Sequence, residues 1–150
     1  MPTTDREFDE FFEEAEPRLR RALVAAYGPE RGREAASEAL AYCWEHWSRV
    51  RRMPNPLGYL YRVGQSKTRP RLTRQLASRT ETREPLVEPG LAPALALLTE
   101  RQRVATVLVH GFGWTHAEVA ELIGISATTV QNHVERGMAA LRQALEVQDV

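Results

Sequence analysis

Apolar residues along this chain recur every three or four positions, the spacing of one face of an α-helix, and no stretch alternates convincingly at the period of a strand. The clearest stretch is T-H-A-E-V-A-E-L-I-G-I-S-A-T-T-V-Q-N-H-V-E-R, residues 115–136. Thr115 with Glu118 three residues on forms a capping box, and Val119, Ala120 and Leu122 give a short helix its apolar side. Gly124 supplies the left-handed residue that ends this helix, and Ser126 can N-cap the next. The second helix starts near Ala127 and sets Val130, Val134, Met138 and Leu141 on one stripe. Its opposite face carries Thr128, Asn132 and Arg136, flanked by Thr129, Gln131 and Glu135. Small polar residues opening a helix held to another by a glycine turn suit a major-groove reader. An ordinary helical hairpin is the plainer reading of most short motifs. Here caps, turn glycine and two-faced periodicity agree over all 22 residues, so a helix-turn-helix is expected.

The rest of the chain reads as helices too. Thr3 or Thr4 can cap a first helix through Phe8, Phe11 and Phe12, which Pro17 interrupts or kinks. A second run, R-L-R-R-A-L-V-A-A-Y, ends at Gly28-Pro29. A long alanine-rich helix is predicted from Glu30 to about Val50, with Ala36, Leu40, Cys43 and Trp47 at helical spacing. Asn55-Pro56 caps a helix through Leu57, Leu60 and Val63, which Pro70 kinks or ends. Thr99 with Gln102 forms another capping box, and V-A-T-V-L-V-H ends at Gly111. Three prolines and a glycine without sustained period mark residues 78–93 as a flexible linker. The expected fold is all-α: two small helical domains, residues 1–77 and 94–150, the first a helical bundle and the second the helix-turn-helix.

Composition removes several function classes. No apolar run is long enough to span a membrane, and the acidic start is unlike a signal peptide. A single cysteine, Cys43, excludes an intrachain disulfide framework and fits a reducing cytoplasm. Cys43 and His46 lack a second ligand pair for zinc, and His110, His116 and His133 show no triad partners. With no phosphate-binding glycine loop and no paired catalytic carboxylates, neither an enzyme nor a bound cofactor is expected. The formal net charge of zero hides a segregation. Residues 1–16 hold seven acids against one arginine, whereas residues 46–80 hold nine Lys and Arg side chains and no acid.

That acid-free run, P-N-P-L-G-Y-L-Y-R-V-G-Q-S-K-T-R-P-R-L-T-R in its centre, interleaves tyrosines with cations. On a helix, Tyr59, Arg62, Ser66 and Arg69 fall within one arc, with Lys67, Arg71 and Arg74 beside them. Arginines neutralise phosphates and release counterions, and aromatic rings stack on unpaired bases. A solvated basic face is the bland alternative; thirty-five acid-free residues with interleaved aromatics favour nucleic-acid contact.

Both halves resemble a bacterial RNA polymerase sigma factor of the extracytoplasmic-function group of the sigma-70 family. G-R-E-A-A-S-E-A-L-A-Y-C-W-E-H-W resembles the helix that grips the polymerase clamp. N-P-L-G-Y-L-Y-R-V-G-Q-S-K-T-R resembles the helix that melts and reads the −10 element, and the tail from L-T-E-R-Q-R onward resembles region four, which reads the −35 element. The resemblance implies core-polymerase contacts at Glu34, Ser37, Glu38, Ala41, Tyr42 and Glu45. It implies −10 contacts at Tyr59, Arg62, Ser66, Lys67, Arg69, Arg71 and Arg74, and −35 contacts at Thr115, Ser126, Ala127, Thr128, Thr129, Gln131, Asn132 and Arg136. The implied partners are promoter DNA, the clamp and flap of core polymerase, and an anti-sigma factor, with no membrane insertion. The chain departs from the family pattern at Glu34 and Ser37, where aspartate and glutamine are usual, at Tyr59 for tryptophan, at Ser66 for asparagine, and at Gln131 for a basic residue. A LuxR-type stand-alone regulator is the alternative, since its reader domain is close to the tail, although residues 1–75 show no βα pattern for an upstream receiver.

Overall fold

The computed structural model describes residues 2–78 and 91–148, with side chains over 5–68 and 91–146. All regular structure among these residues is helical: α1 (Pro2–Tyr27), α2 (Pro29–Glu45), α3 (Trp47–Val50), α4 (Pro56–Ser78), α5 (Leu91–Ala96), α6 (Glu100–Thr106) running into a π-helical turn (Val107–Gly111), α7 (His116–Ile123) and α8 (Ala127–Gln148). Contacts divide the chain into two compact units, Met1–Leu72 with Glu121–Gly124, and Thr73–Ala120 with Ile125–Val150. Residues 79–90, most of the expected linker, lie outside the described residues, as do the side chains of Arg69, Arg71 and Arg74.

In the first unit α1 buries Phe8, Ala15, Leu19, Ala22, Leu23 and Ala26 along one stripe, and α2 meets it with Ala35, Ala36, Ala39, Leu40 and Cys43. The small α2 residues let the two backbones approach closely. A Cβ on Gly32 would stand 2.6 Å from the carbonyl carbon of Leu23, and one on Gly64 of α4 would stand 2.7 Å from Leu23 Cδ1. Leu23 is thus gripped between α2 and α4. Each fully buried leucine here (Leu19, Leu23, Leu60) contributes roughly 1.5–3 kcal/mol over its exposed state. Cys43 is part of this core, and burial pushes its thiol up to about 11, so it stays an unreactive thiol at neutral pH.

Three expectations need correction. Pro17 lies inside α1 and Pro70 inside α4, and both helices continue past them. A proline deprives the carbonyl four residues earlier of its partner; those carbonyls belong to Glu13 and Ser66, both exposed, so water can take the lost bond. Thr3 and Thr4 lie within α1, which opens on Pro2 at the position where proline is already set for a helix. The long alanine-rich helix stops at Glu45, where His46 leaves helical geometry (φ −119°, ψ 26°) before α3 resumes. The break turns Trp47 into an aromatic cluster, its ring centroid 5.4 Å from Phe8 and 5.2 Å from Phe11.

The second unit is built on α8. Val130, Val134 and Leu141 are buried, and Met138 packs on a cluster of Ala94, Leu98 and Leu141. That cluster explains α5, for which the linker-like sequence gave no signal: Leu91, Ala94 and Leu95 form a helix because α8 offers them an apolar wall. Thr99 and Gln102 make the expected reciprocal capping box at the start of α6. α6 crosses α8 at Gly137, where an added Cβ would strike Thr106 Oγ1 and lie 3.3 Å from the Gln102 carbonyl oxygen. Gly137→Ala is therefore expected to cost about 1–3 kcal/mol in urea unfolding. Thr106→Ala in the same chain should recover most of that loss, because it removes the atom in the way; an unchanged midpoint for Gly137→Ala alone would show that the crossing can relax.

Candidate nucleic-acid interface

The helix-turn-helix is held by its own polar residues. Thr115 N–H donates to Glu118 Oε1 (2.9 Å) and Glu118 N–H to Thr115 Oγ1 (3.0 Å), which closes the start of α7. Gly124 stands at φ +84°, and Ile125 N–H returns to the Ala120 carbonyl at 3.1 Å, the six-to-one bond of a Schellman turn. Ser126 Oγ accepts from Thr129 N–H at 3.1 Å and shares a second hydrogen bond of 2.8 Å with Thr129 Oγ1. Both hydroxyls therefore serve the α8 cap first and have limited capacity for a ligand.

Across α8, Ala127, Thr128, Gln131, Asn132 and Arg136 are exposed on the side away from the buried stripe, with Glu135 among them. Thr115 and Ser126 are also exposed, and Thr129 is half-buried. Gln131 Nε2 donates to Glu135 Oε1 at 3.3 Å, so one amide donor is turned along the helix. Thr128 and Asn132 stand on the same face with short polar ends, and Arg136 one turn further on brings the positive charge. This is a face able to read base edges and hold one phosphate.

In the first unit α4 opens as expected: Asn55 Oδ1 accepts from Gly58 N–H at 3.0 Å. Arg62, Ser66 and Lys67 are exposed and Tyr59 is half-buried. Ser66 Oγ is spent on the Val63 carbonyl at 2.7 Å. Freedom from acids in sequence does not carry over into space. Lys67 lines a cavity of about 210 Å³ with Glu34 and Glu38 of α2, and Arg31 pairs with Glu34 at 3.0 Å. Arg51 in turn pairs with Glu7 at 3.0 Å. On α2, Glu34, Ser37, Glu38, Ala41 and Glu45 are exposed. Ser37 and Ala41 edge an apolar groove of about 580 Å³ floored by Phe8, Phe12, Leu40 and Trp44. Trp44 is 53% exposed and sets its ring edge-on to Phe8, with centroids 4.9 Å apart.

Two residues assigned to different surfaces meet. Tyr42 of α2 and Tyr59 of α4 share a hydrogen bond of 3.0 Å between their hydroxyls. His46 stacks on the Tyr42 ring at 4.1 Å, and Arg49 of α3 donates to the Tyr42 hydroxyl. The sequence reading passed over His46 and Arg49 in this role. The signal available was the i, i+4, i+7 spacing of Tyr42, His46 and Arg49, which one straight helix would have carried on one face.

Residues 91–141 match the family described as sigma-70, region 4. That stretch is similar to region 4 of the sigma-70 family. The match begins at α5 and ends within α8, so the matched stretch holds the whole helix-turn-helix. Among solved structures the chain is similar to the sigma factor RpoE in complex with the anti-sigma factor NepR from Bartonella quintana, with a TM-score of 0.67 and 19% identity. The likeness covers 95% of this chain and 98% of that one, and gives the fold of both units. No curated protein matches the chain. No helix among the described residues is long and apolar enough to cross a membrane, and none of their His, Cys, Asp and Glu side chains gather in threes around a metal position.

Within the second unit, His133 of α8 is half-buried with Nδ1 enclosed and unpartnered among the described residues. Burial first, and then the charges of Arg101 and Arg136, hold its pKa below the usual 6.5. A base with a lowered folded pKa binds fewer protons folded than unfolded, so stability falls as pH drops below 6.5 and levels off beneath the lowered value. His133→Gln should flatten that acid limb for the C-terminal unit in thermal unfolding between pH 7 and 5. An identical slope in the variant would place the acid sensitivity elsewhere.

Proposed function

We propose that the chain is a sigma factor of the extracytoplasmic-function group: a dissociable subunit that is not itself catalytic and that directs core RNA polymerase to promoters. The observation that carries this reading is the conjunction of a region 4 at residues 91–141 with the fold of a sigma factor over 95% of the chain. In this reading residues 1–77 hold the core clamp and the −10 element, and residues 94–150 read the −35 element and meet the flap. The face of α2 formed by exposed Glu34, Ser37, Glu38, Ala41 and Glu45 and half-buried Tyr42 meets the clamp, and the apolar groove beside it, with Phe12 40% and Trp44 53% exposed, adds a hydrophobic anchor of the kind interfaces use. The setting is the cytoplasm, and an anti-sigma factor is a fitting regulator, since the solved relative is bound to one. The LuxR-type alternative gains no support: the matching family and the solved relative are both sigma factors.

Retention of the chain on purified core polymerase, followed by reconstituted transcription with start sites mapped across genomic DNA, tests the reading. Lack of retention would sink it. Within a working holoenzyme, Asn132→Ala should cost roughly 1–3 kcal/mol and relax preference at one −35 position. Arg136→Ala should weaken binding to all sequences alike and lower the salt slope by about 0.9. If neither changes −35-dependent transcription, the reading face lies elsewhere. Arg62→Glu is expected to abolish permanganate-reactive thymines at −10 while retention on core persists; normal melting would leave the basic row a merely solvated face.

A further inference from the structure

The hydroxyls of Tyr42 and Tyr59 form a chain with a direction. A guanidinium has five N–H donors and no acceptor, so Arg49 Nη2 donates and Tyr42 Oη accepts. Arg49 also stands over the Tyr42 ring, with Cζ 6.0 Å from the centroid, and His46 stacks on that ring at 4.1 Å. Held in this way, Tyr42 has one hydrogen left to give, and the oxygen within reach is Tyr59 Oη, 3.0 Å away. The bond to Tyr59, followed by burial, raises the Tyr42 phenol above its usual 10.0 against the opposing pull of Arg49. With Tyr42 as the donor, Tyr59 Oη accepts and keeps its own hydrogen for a ligand. Charge-assisted donation at one end of such a chain polarises the next bond and strengthens the last donor. Arg62 stands one turn along α4 and is exposed, so an anion approaching Tyr59 meets a cation beside it.

We propose that Arg49 is a positioning residue: acting through Tyr42, it sets the Tyr59 hydroxyl as a hydrogen-bond donor to a phosphodiester oxygen of the DNA strand that α4 holds. The inference rests on the sigma-factor reading and adds to it the chemistry of one contact. It also gives Tyr42 a second role. A residue on the face assigned to polymerase fixes a donor on the face assigned to DNA, so docking on one side steadies the contact on the other.

The test uses holoenzyme made with the full chain and labelled single-stranded DNA of the non-template strand, binding being read by anisotropy across a salt series. Arg49→Met should weaken binding about tenfold, the effect of one hydrogen bond to a charged group. The salt slope should stay as in the parent, because Arg49 itself touches no phosphate. Tyr59→Phe should give a similar loss, and the double variant no more than the larger single one. In a scan of the strand with single methylphosphonate linkages, one linkage should weaken the parent about tenfold and leave Tyr59→Phe unaffected. Additive losses, a slope lowered by about 0.7 in Arg49→Met, or no such linkage would each overturn the proposal. Retention on core polymerase certifies that each variant is folded. If the parent holoenzyme itself fails to bind the strand, the sigma-factor reading falls and this contact with it; if the parent binds and the losses add, only the contact falls.

Discussion

The closeness of α1 to α2 is the constraint on which the rest of the first unit depends. Gly32 admits the backbone of Leu23 and Val24 where any Cβ would collide, and Ala35, Ala36 and Ala39 continue the same shallow face. Interiors are packed as tightly as organic crystals, so a helix seated this closely has no freedom to roll. Its outward residues are fixed by that seating. Glu34, Ser37, Glu38 and Ala41 face out because the alanines face in. Gly64 does the same for α4: it lets the helix rest on Leu23 and so turns Arg62, Ser66 and Lys67 to solvent.

The second unit obtains its exposed face by a different route, through termini. A short helix leaves several backbone N–H and C=O groups without partners, and here local side chains and the Gly124 turn take them up. The consequence for binding is a division of labour. Thr115, Ser126 and Thr129 are committed to caps, while Thr128, Asn132 and Arg136 carry no structural duty of that kind and present their polar ends outward. Gly137 on the buried side allows α8 to come near enough to α6 for this face to be held rigidly.

Charge in the first unit is arranged by tertiary contact more than by composition. The basic run lacks acids along the chain, yet Glu34, Glu38 and Glu7 reach it from other helices. Exposed pairs of this kind are worth ~1 kcal/mol or less, so they temper the positive face without cancelling it. The same folding that brings the acids also brings Tyr42 to Tyr59 and Arg49 to Tyr42, so a hydrogen-bonded chain from Arg49 through Tyr42 to Tyr59 links three helices.

The helical class, the capping boxes at Thr99 and Thr115, the Gly124 turn, the buried stripe of α8 and its polar face were all legible in the sequence, because each is decided within about a turn of helix. Propensity, capping and periodicity act at that range, and the family resemblance rests on the same local patterns. Tertiary structure alone decided the rest. Pro17 and Pro70 stay inside helices since the carbonyls they orphan belong to exposed residues that solvent can satisfy. α5 forms because α8 supplies the apolar surface that a six-residue segment lacks by itself. The break at His46 and the meeting of Tyr42 with Tyr59 depend on residues distant in sequence, an aromatic cluster on α1 in one case and the start of α4 in the other. A periodic pattern states which face of a helix is apolar, but only packing states what that face meets and which polar residues from elsewhere arrive beside the opposite one.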